Sequence, residues 1–344
     1  MMKDSRSSFD DLTVVSGDPD RLQGFTLTGL VRNEMYFLPA FLTHYRKLGV
    51  ARFVFIDDRS DDGTSAFLAE QADVIVLNSP YKFGDRVGND VAAAYKLEHR
   101  RMDLLWRTQL IQFFALNQWS LHVDVDEFLH LPDGMSIAEV SDALARKDAE
   151  AHAVWSVMLD MYPASICDLR DMDAQDSFDL GAAWYFDGLQ HLSLREDKSP
   201  KVTYGGSRAR LLGAHGLNPK AGSKLQRLGH GLGLKPVRYN AVYKPILIRG
   251  TEEAVFETSH QVRLKTNRHA LLPLCHFKFN GQVYRRIAQA IADGQHPGGA
   301  SEYADLARLL TKMDEEESTF LCKSSTRLSG FDDFVRTENA LGFD

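Results

Sequence analysis

Arg52-Phe53-Val54-Phe55-Ile56 runs without a break into Asp57-Asp58-Arg59-Ser60-Asp61-Asp62-Gly63-Thr64. So short and so apolar a run fits a strand covered on both faces. It stops at a cluster of Asp, Ser and Gly, the composition of a turn. Upstream, Phe25-Thr26-Leu27-Thr28-Gly29-Leu30-Val31 is a plausible first strand, followed by the polar turn Arg32-Asn33-Glu34. Phe37, Leu38, Phe41, Leu42, Tyr45 and Leu48 then recur at spacings of three and four, which predicts a helix ending at Gly49. Downstream, Ser65 to Gln71 reads as a short helix and Val74 to Leu77 as a third strand. Strand, helix, strand, helix, strand implies right-handed crossovers and an α/β fold, with a mostly parallel, Rossmann-like central sheet and helices on both faces. Ligands in such sheets bind at the carboxyl ends of the strands.

A second apolar run ends the same way. Leu121-His122-Val123-Asp124-Val125-Asp126-Glu127-Phe128 stops at two carboxylates one residue apart with a third beside them. On a strand over Trp119 to Val125, alternation would point Asp124 and Asp126 to one face. Parallel carboxylates repel unless a cation or proton lies between them, and a hard divalent ion with oxygen ligands relieves that repulsion. A solvated acidic strand end is the alternative. The polar clusters at Arg32 to Glu34, Asp57 to Asp62 and Asp124 to Glu127 all follow expected strands, so all three should open on one edge.

Between them, Tyr81 to Asn89 reads as a loop and Asp90 to Asn117 as a long helical segment. Later come a helix over Ile137 to Lys147, a strand over Ala153 to Leu159, and an acidic, irregular stretch over Cys167 to Asp179. From Arg195 to Arg249 there are twelve Lys or Arg against only Glu196 and Asp197, a basic field that asks for an anion. Leu271 to Phe279 is a late apolar strand, and residues 281 to 318 read as two helices around a Gly-Pro-Gly turn.

At 344 residues, 44% hydrophobic and 25% charged, the composition is that of a globular protein. A formal net charge of -7 argues against nucleic acid as a partner. Cys167, Cys275 and Cys322 include no close pair, which fits a reducing compartment and suggests neither a disulfide scaffold nor a cysteine zinc site. No run approaches the roughly 18 apolar residues of a membrane span. The expectation is a cytoplasmic protein, with peripheral attachment at the inner face of the membrane left open.

In order and spacing, Val31-Arg32-Asn33-Glu34, Leu38-Pro39, His44-Tyr45, Leu48-Gly49, Asp57-Asp58-x-Ser60-x-Asp62-Gly63-Thr64 and Asp124-x-Asp126-Glu127-Phe128 resemble family 2-like glycosyltransferases of the GT-A (nucleotide-diphospho-sugar transferase) fold. That match covers residues 25 to 165. Asp160-Met161-Tyr162-Pro163, Phe186-Asp187, Gly205-Gly206-Ser207-Arg208-x-Arg210, Lys244-Pro245, His260 and His276-Phe277-Lys278-Phe279 follow in the order of that branch. The resemblance implies a metal-dependent transferase moving a sugar from a UDP- or GDP-linked donor to a hydroxyl of a glycan or lipid-linked acceptor, as in polysaccharide biosynthesis. Residues 1–22 lack periodicity and read as a mobile leader, and 213–236, rich in Gly and Lys, as a basic flexible loop; the resemblance implies a nucleotide-sugar and metal-binding half over 23–165, an acceptor-binding half over 166–290 that contains this loop, and a mixed, largely helical C-terminal extension over 291–344.

Residue by residue, the resemblance assigns Mn²⁺ or Mg²⁺ to Asp124, Asp126 and His276, with Asp124 shared between ribose and ion and Glu127 supporting the turn; a buried core histidine is the alternative for His276. Asp57 and Asp58 suit the nucleobase and ribose, since carboxylates accept from N–H and O–H groups, and one of them is expected to cap a turn instead. Arg32, Asn33 and Glu34 would line the nucleotide cleft, Glu34 otherwise being a first-turn helix acid. Arg107 is a diphosphate or sugar contact, or half of a salt bridge. Arg208, Arg210 and Lys244 would hold the diphosphate, or form a solvated basic face. Asp160 and Asp187 are the candidates for the base on the acceptor, or turn caps. A sugar-phosphate nucleotidyltransferase and a non-catalytic carbohydrate-binding protein are the rivals; the former usually opens its first strand into a Gly-rich triphosphate loop, which Val31-Arg32-Asn33-Glu34 is not.

Overall fold

The structure is a computed structural model, described for residues 11–21, 23–188, 204–217, 240–267, 269–293 and 301–343. Most of the expected basic loop over 213–236, and the Gly-Pro-Gly turn, lie outside those residues. The fold is mixed α/β, with a large, mostly parallel central sheet and helices. Its main strands are β1 (Thr13–Ser16), β2 (Thr26–Val31), β3 (Arg52–Asp57), β4 (Val74–Asn78), β5 (Trp119–His122), β6 (Glu127–Leu129), β7 (Ala153–Asp160), β8 (Tyr243–Arg249) and β9 (Leu272–His276). Two compact units interleave along the chain. Unit 1 comprises the described residues up to Glu127, Asp133–Trp155 and Lys244–Ala270; unit 2 comprises those of Phe128–Pro132, Ser156–Tyr243 and Leu271–Asp344.

In unit 1 the strands lie in the order β1-β4-β3-β2-β5-β8. β4, β3, β2 and β5 are parallel, while β1 and β8 flank them antiparallel. β3 is buried at every residue, as its unbroken apolar run requires. Helix α1 (Leu38–Lys47) buries Leu38, Phe41, Leu42 and Tyr45 and ends at Gly49, whose φ of 90° is a left-handed stop that glycine adopts without strain. Helix α2 is Thr64–Ala69. Between β4 and β5 come two helices, α3 (Asn89–Ala94) and α4 (Met102–Phe114), rather than the single long one the sequence predicts; Lys96, at φ 55°, breaks the run between them. Helix α5 (Ile137–Lys147) opens with a reciprocal Ser136–Glu139 capping box.

Two further expectations are corrected. Thr13–Ser16, inside the expected leader, pairs antiparallel with β4 as an edge strand. β5 stops at His122, so Asp124 and Asp126 do not alternate on a strand; they lie in a turn closed by Glu127 N donating to Asp124 O at 3.0 Å. That turn lies against Gly29 of β2, where a Cβ would meet the Val123 carbonyl oxygen at 2.9 Å and the Phe55 ring at 3.2 Å.

In unit 2, β9 pairs parallel with β7 from Ser156 onward, and the register sets His276 opposite Asp160. Its helices are α6 (Ile166–Asp173), α7 (Gly206–Ala214), α8 (Val283–Asp293), α9 (Ser301–Glu315) and α10 (Asp332–Arg336). Tyr162, Leu169, Leu212, Phe279, Leu310 and Phe320 are among the residues of its main apolar core. Among the described residues, no helix is long and apolar enough to cross a membrane.

Gly29→Ala is expected to cost about 1–3 kcal/mol, because the obstacle is backbone and an aromatic ring rather than a flexible tip. Urea unfolding of the variant against the parent measures it.

Candidate functional site

The loops that leave β2 and β3 are stapled to each other by side chains. Asn33 N donates to Ser60 Oγ (2.9 Å), Asn33 Nδ2 donates to Asp61 Oδ1 (2.8 Å), and Asp61 N returns a bond to Asn33 Oδ1 (2.9 Å). Glu34 N donates to Thr64 Oγ1 (2.9 Å), while Asp62 accepts from both Met35 N and Thr64 N. Asn33 and Arg59 take left-handed backbone, φ 56° and 61°, which tight reversals demand. Asp57 caps a turn: its Oδ1 accepts from Ser60 N (3.0 Å) and Ser60 Oγ (2.6 Å). Asp58 is the other kind of acid. It is buried, accepts from Phe83 N at 3.2 Å and has Arg32 at 3.9 Å. Burial raises its carboxyl above the ordinary value, against the pull of the Phe83 amide, Arg32 and Arg59.

Behind the Asp124 turn lies a chain of hydrogen bonds whose donors can be assigned by elimination. Arg107, on α4, donates from Nη1 to His122 Nε2 (2.7 Å) and from Nη2 to Asp124 Oδ1 (2.9 Å). A guanidinium only donates, so Nε2 accepts and the His122 proton sits on Nδ1. That Nδ1–H faces Thr28 Oγ1 at 2.8 Å, and Thr28 passes its own proton to Leu121 O at 3.2 Å. Burial, with Arg107 and Lys244 adding to it, pushes His122 well below its usual range, so the ring is neutral. Lys244, on β8, closes the other end, donating to Asp124 Oδ2 (2.8 Å) and to Glu127 Oε1 (2.9 Å) and Oε2 (2.7 Å). Glu127 Oε2 also accepts from Asp124 N (2.8 Å), the turn-supporting role expected of it. Burial would raise the Asp124 carboxyl; Arg107 and Lys244 outweigh it and hold it well below the carboxylate range. Lys244 is 1% exposed and Asp124 35%, so the cation is sealed while one side of Asp124 faces outward. Asp126, beside them, is 9% exposed.

Of the residues expected to meet in a nucleotide and metal site, unit 1 therefore brings Arg107, Asp124 and Lys244 into direct contact, and Arg32 toward Asp58. His276 belongs to unit 2, as do Asp160, Asp187, Arg208 and Arg210. There His276 Nδ1 bonds Asp160 Oδ1 (2.7 Å) and Arg208 Nε donates to Asp160 Oδ2 (2.8 Å). Arg208 and His276 overcome the effect of burial and drive the Asp160 carboxyl far below its ordinary value. Asp187 accepts from Tyr162 O–H (2.6 Å) and, on both oxygens, from Arg210 (2.8 and 3.1 Å). A carboxylate committed as that of Asp160 is a poor base.

The expected cation was tested against this donor set. Both Asp124 oxygens already accept from protein cations, Glu127 is spent on Lys244 and the Asp124 amide, and no group of three or more His, Cys, Asp or Glu able to hold a metal occurs among the described residues. Asp124 does not fit as a metal ligand. His122 and Thr28 are members of this network that the sequence did not single out; a histidine two residues before Asp124 has no meaning until Arg107 is placed.

Two outcomes follow. Glu127→Ala leaves the buried ammonium short of a counter-charge, and a loss of about 3–5 kcal/mol is expected by chemical denaturation. Asp58→Asn should instead gain stability at neutral pH. With a folded-state value raised above the unfolded one, Asp58 contributes favourably only while protonated, below the ordinary carboxylate range, and that contribution is lost as pH rises through the raised value. The two proteins should therefore converge in urea melts near about pH 3 and diverge toward neutrality.

No protein-family model matches the chain, and no curated protein matches it. Among solved structures, HddC from Yersinia pseudotuberculosis matches at 7% identity and a TM-score of 0.32, covering 76% of this chain and 97% of that one. A UDP-glucose pyrophosphorylase complexed with UDP-glucose matches at 8% identity and a TM-score of 0.26, covering 92% of this chain and 98% of that one. Likeness at that level decides neither kinship nor function.

Proposed function

We propose that the chain is a glycosyltransferase that takes its sugar from a UDP- or GDP-linked donor and passes it to a hydroxyl of a glycan or lipid-linked acceptor. One observation carries this reading: the segments that follow β2, β3 and β5, three adjacent parallel strands, leave one carboxyl edge of unit 1, and each presents acids or amides there. That edge is where open α/β sheets take ligands. Asp58 supplies an acceptor for a nucleobase, Arg32 a positive charge for a diphosphate, and the open side of Asp124 an acceptor for a hydroxyl. Asn33 and Glu34 shape the loop that carries them. The acceptor oxygen forms a bond to the anomeric carbon as the bond to the diphosphate breaks, the acceptor's proton passes to solvent, and a nucleoside diphosphate leaves. Mn²⁺ or Mg²⁺ enters this reading as a partner of the diphosphate, with Asp126 as the candidate protein contact. Arg208 and Arg210, each bound to an acid of unit 2, are proposed to order that unit; Asp160 positions His276.

A thermal-shift panel of UDP, GDP and ADP, with and without Mn²⁺, tests the reading. A specific diphosphate at a hundred times its dissociation constant should stabilise the fold by about 2.7 kcal/mol, and Asp58→Asn should abolish the response despite its higher stability. No response to any diphosphate would count against the proposal. Release of pyrophosphate from a nucleoside triphosphate and a sugar phosphate, in place of nucleoside diphosphate from a nucleotide sugar, would move the chain to the nucleotidyltransferase class.

A further inference from the structure

We infer that the D-x-D-E run carries its own cation: the Lys244 ammonium occupies the point on which Asp124 and Glu127 converge, so these two carboxylates form a closed, metal-free ion cluster. Three carboxylate oxygens, Asp124 Oδ2 and both of Glu127, lie 2.7–2.9 Å from a single nitrogen. Three oxygens gathered around one positive centre is the arrangement a hard divalent ion would take, at contacts shorter by about half an ångström. Here the centre is a side chain, buried and held in register by the sheet. β8 runs antiparallel to β5 with Leu247 opposite Leu121, and Lys244 lies three residues before Leu247 on the same strand.

The other oxygen of Asp124 is also covered by a protein cation. Arg107 covers Asp124 Oδ1, and the Asp103 carboxyl, buried on α4, is itself paired with Arg101. With His122 neutral, Arg107 and Lys244 balance Asp124 and Glu127 charge for charge. A divalent ion brought to the open side of Asp124 would sit close to both the Lys244 ammonium and the Arg107 guanidinium, and like charge opposes it there. The inference stands apart from the proposed transferase activity, since it concerns what fills the acidic run in the protein alone.

The test uses Mn²⁺ as the only added ligand, with no nucleotide present. In the parent protein, Mn²⁺ binding followed by electron paramagnetic resonance should show no component that Asp124→Asn removes; an Asp124-dependent Mn²⁺ site would overturn the inference. Lys244→Ala opens both the charge and the space, and this variant should acquire a Mn²⁺ site and a melting temperature that rises with Mn²⁺, both lost again in the Lys244→Ala, Asp124→Asn double variant. A folded Lys244→Ala protein that takes up no Mn²⁺ would also overturn it. Should that variant fail to fold without metal, refolding it in Mn²⁺ against metal-free buffer gives the same answer, because rescue is expected from the ion and its absence counts against the assignment. The parent measurement with Asp124→Asn, nearly isosteric, stands in every case.

Discussion

A lysine ammonium buried between two carboxylates ties the Asp124 turn of unit 1 to β8. Lys244 and its partners are more than a hundred residues apart in sequence, so the Asp124 turn cannot take its final shape until β8 has paired with β5. A buried ion pair of this kind contributes little net stability against a well-packed apolar substitute, since desolvation cancels most of the attraction. Its effect is on geometry. Three bonds from one nitrogen fix the Glu127 carboxylate, which in turn holds the Asp124 amide, and the turn has one conformation that satisfies all of them.

The other end of that network reaches into the sheet itself. Thr28 and His122 face each other in the β2–β5 register, and their hydrogen bond sets which imidazole nitrogen carries the proton. A neutral ring with its acceptor toward Arg107 leaves the guanidinium's Nη2 aimed at Asp124; a protonated ring would repel it. Burial of His122 is thus a means of keeping an arginine in place. Arg107 Nε has no hydrogen-bond partner among the described residues, which marks the cost of orienting the fork by its two terminal nitrogens.

The strand–helix–strand–helix–strand block was legible because each of its elements announces itself locally: β2, β3, β4, α1 and α5 lie where period and punctuation put them, to within a residue or two. What escaped notice obeys rules with weaker sequence signals. β1 is four residues of an edge strand with alternating exposure, too short for a pattern. α6 opens with a Ser165–Asp168 capping box that was present in the sequence but overshadowed by the acidic composition around it. α7 begins at Gly206, in a stretch whose glycines and arginines give no helical period to read. In the site, the individual residues were visible and their partners were not. Arg107 reads as a salt-bridge candidate, yet nothing local says that its acid is Asp124, and Lys244 reads as a diphosphate contact because it lies in the basic stretch, whereas it is 1% exposed and bound to two carboxylates.

The acids of unit 1 sort by what they hold, and that sorting separates scaffold from site. Asp57, Asp61, Asp62 and Glu127 spend their oxygens on backbone amides and neighbouring side chains, so each can be accounted for by the turn it closes. Asp58 cannot. It is buried, its nearest cation is 3.9 Å away, and its environment raises the cost of ionisation rather than lowering it. A residue that makes folding harder needs a reason other than folding, and positions of that kind gather where ligands bind. Asp124 stands between the two groups: its charge is cancelled from behind by Arg107 and Lys244, while its outward side remains in contact with solvent. A carboxylate so anchored attracts a second cation weakly but still accepts hydrogen bonds well, which suits a hydroxyl-bearing ligand better than a bare metal ion.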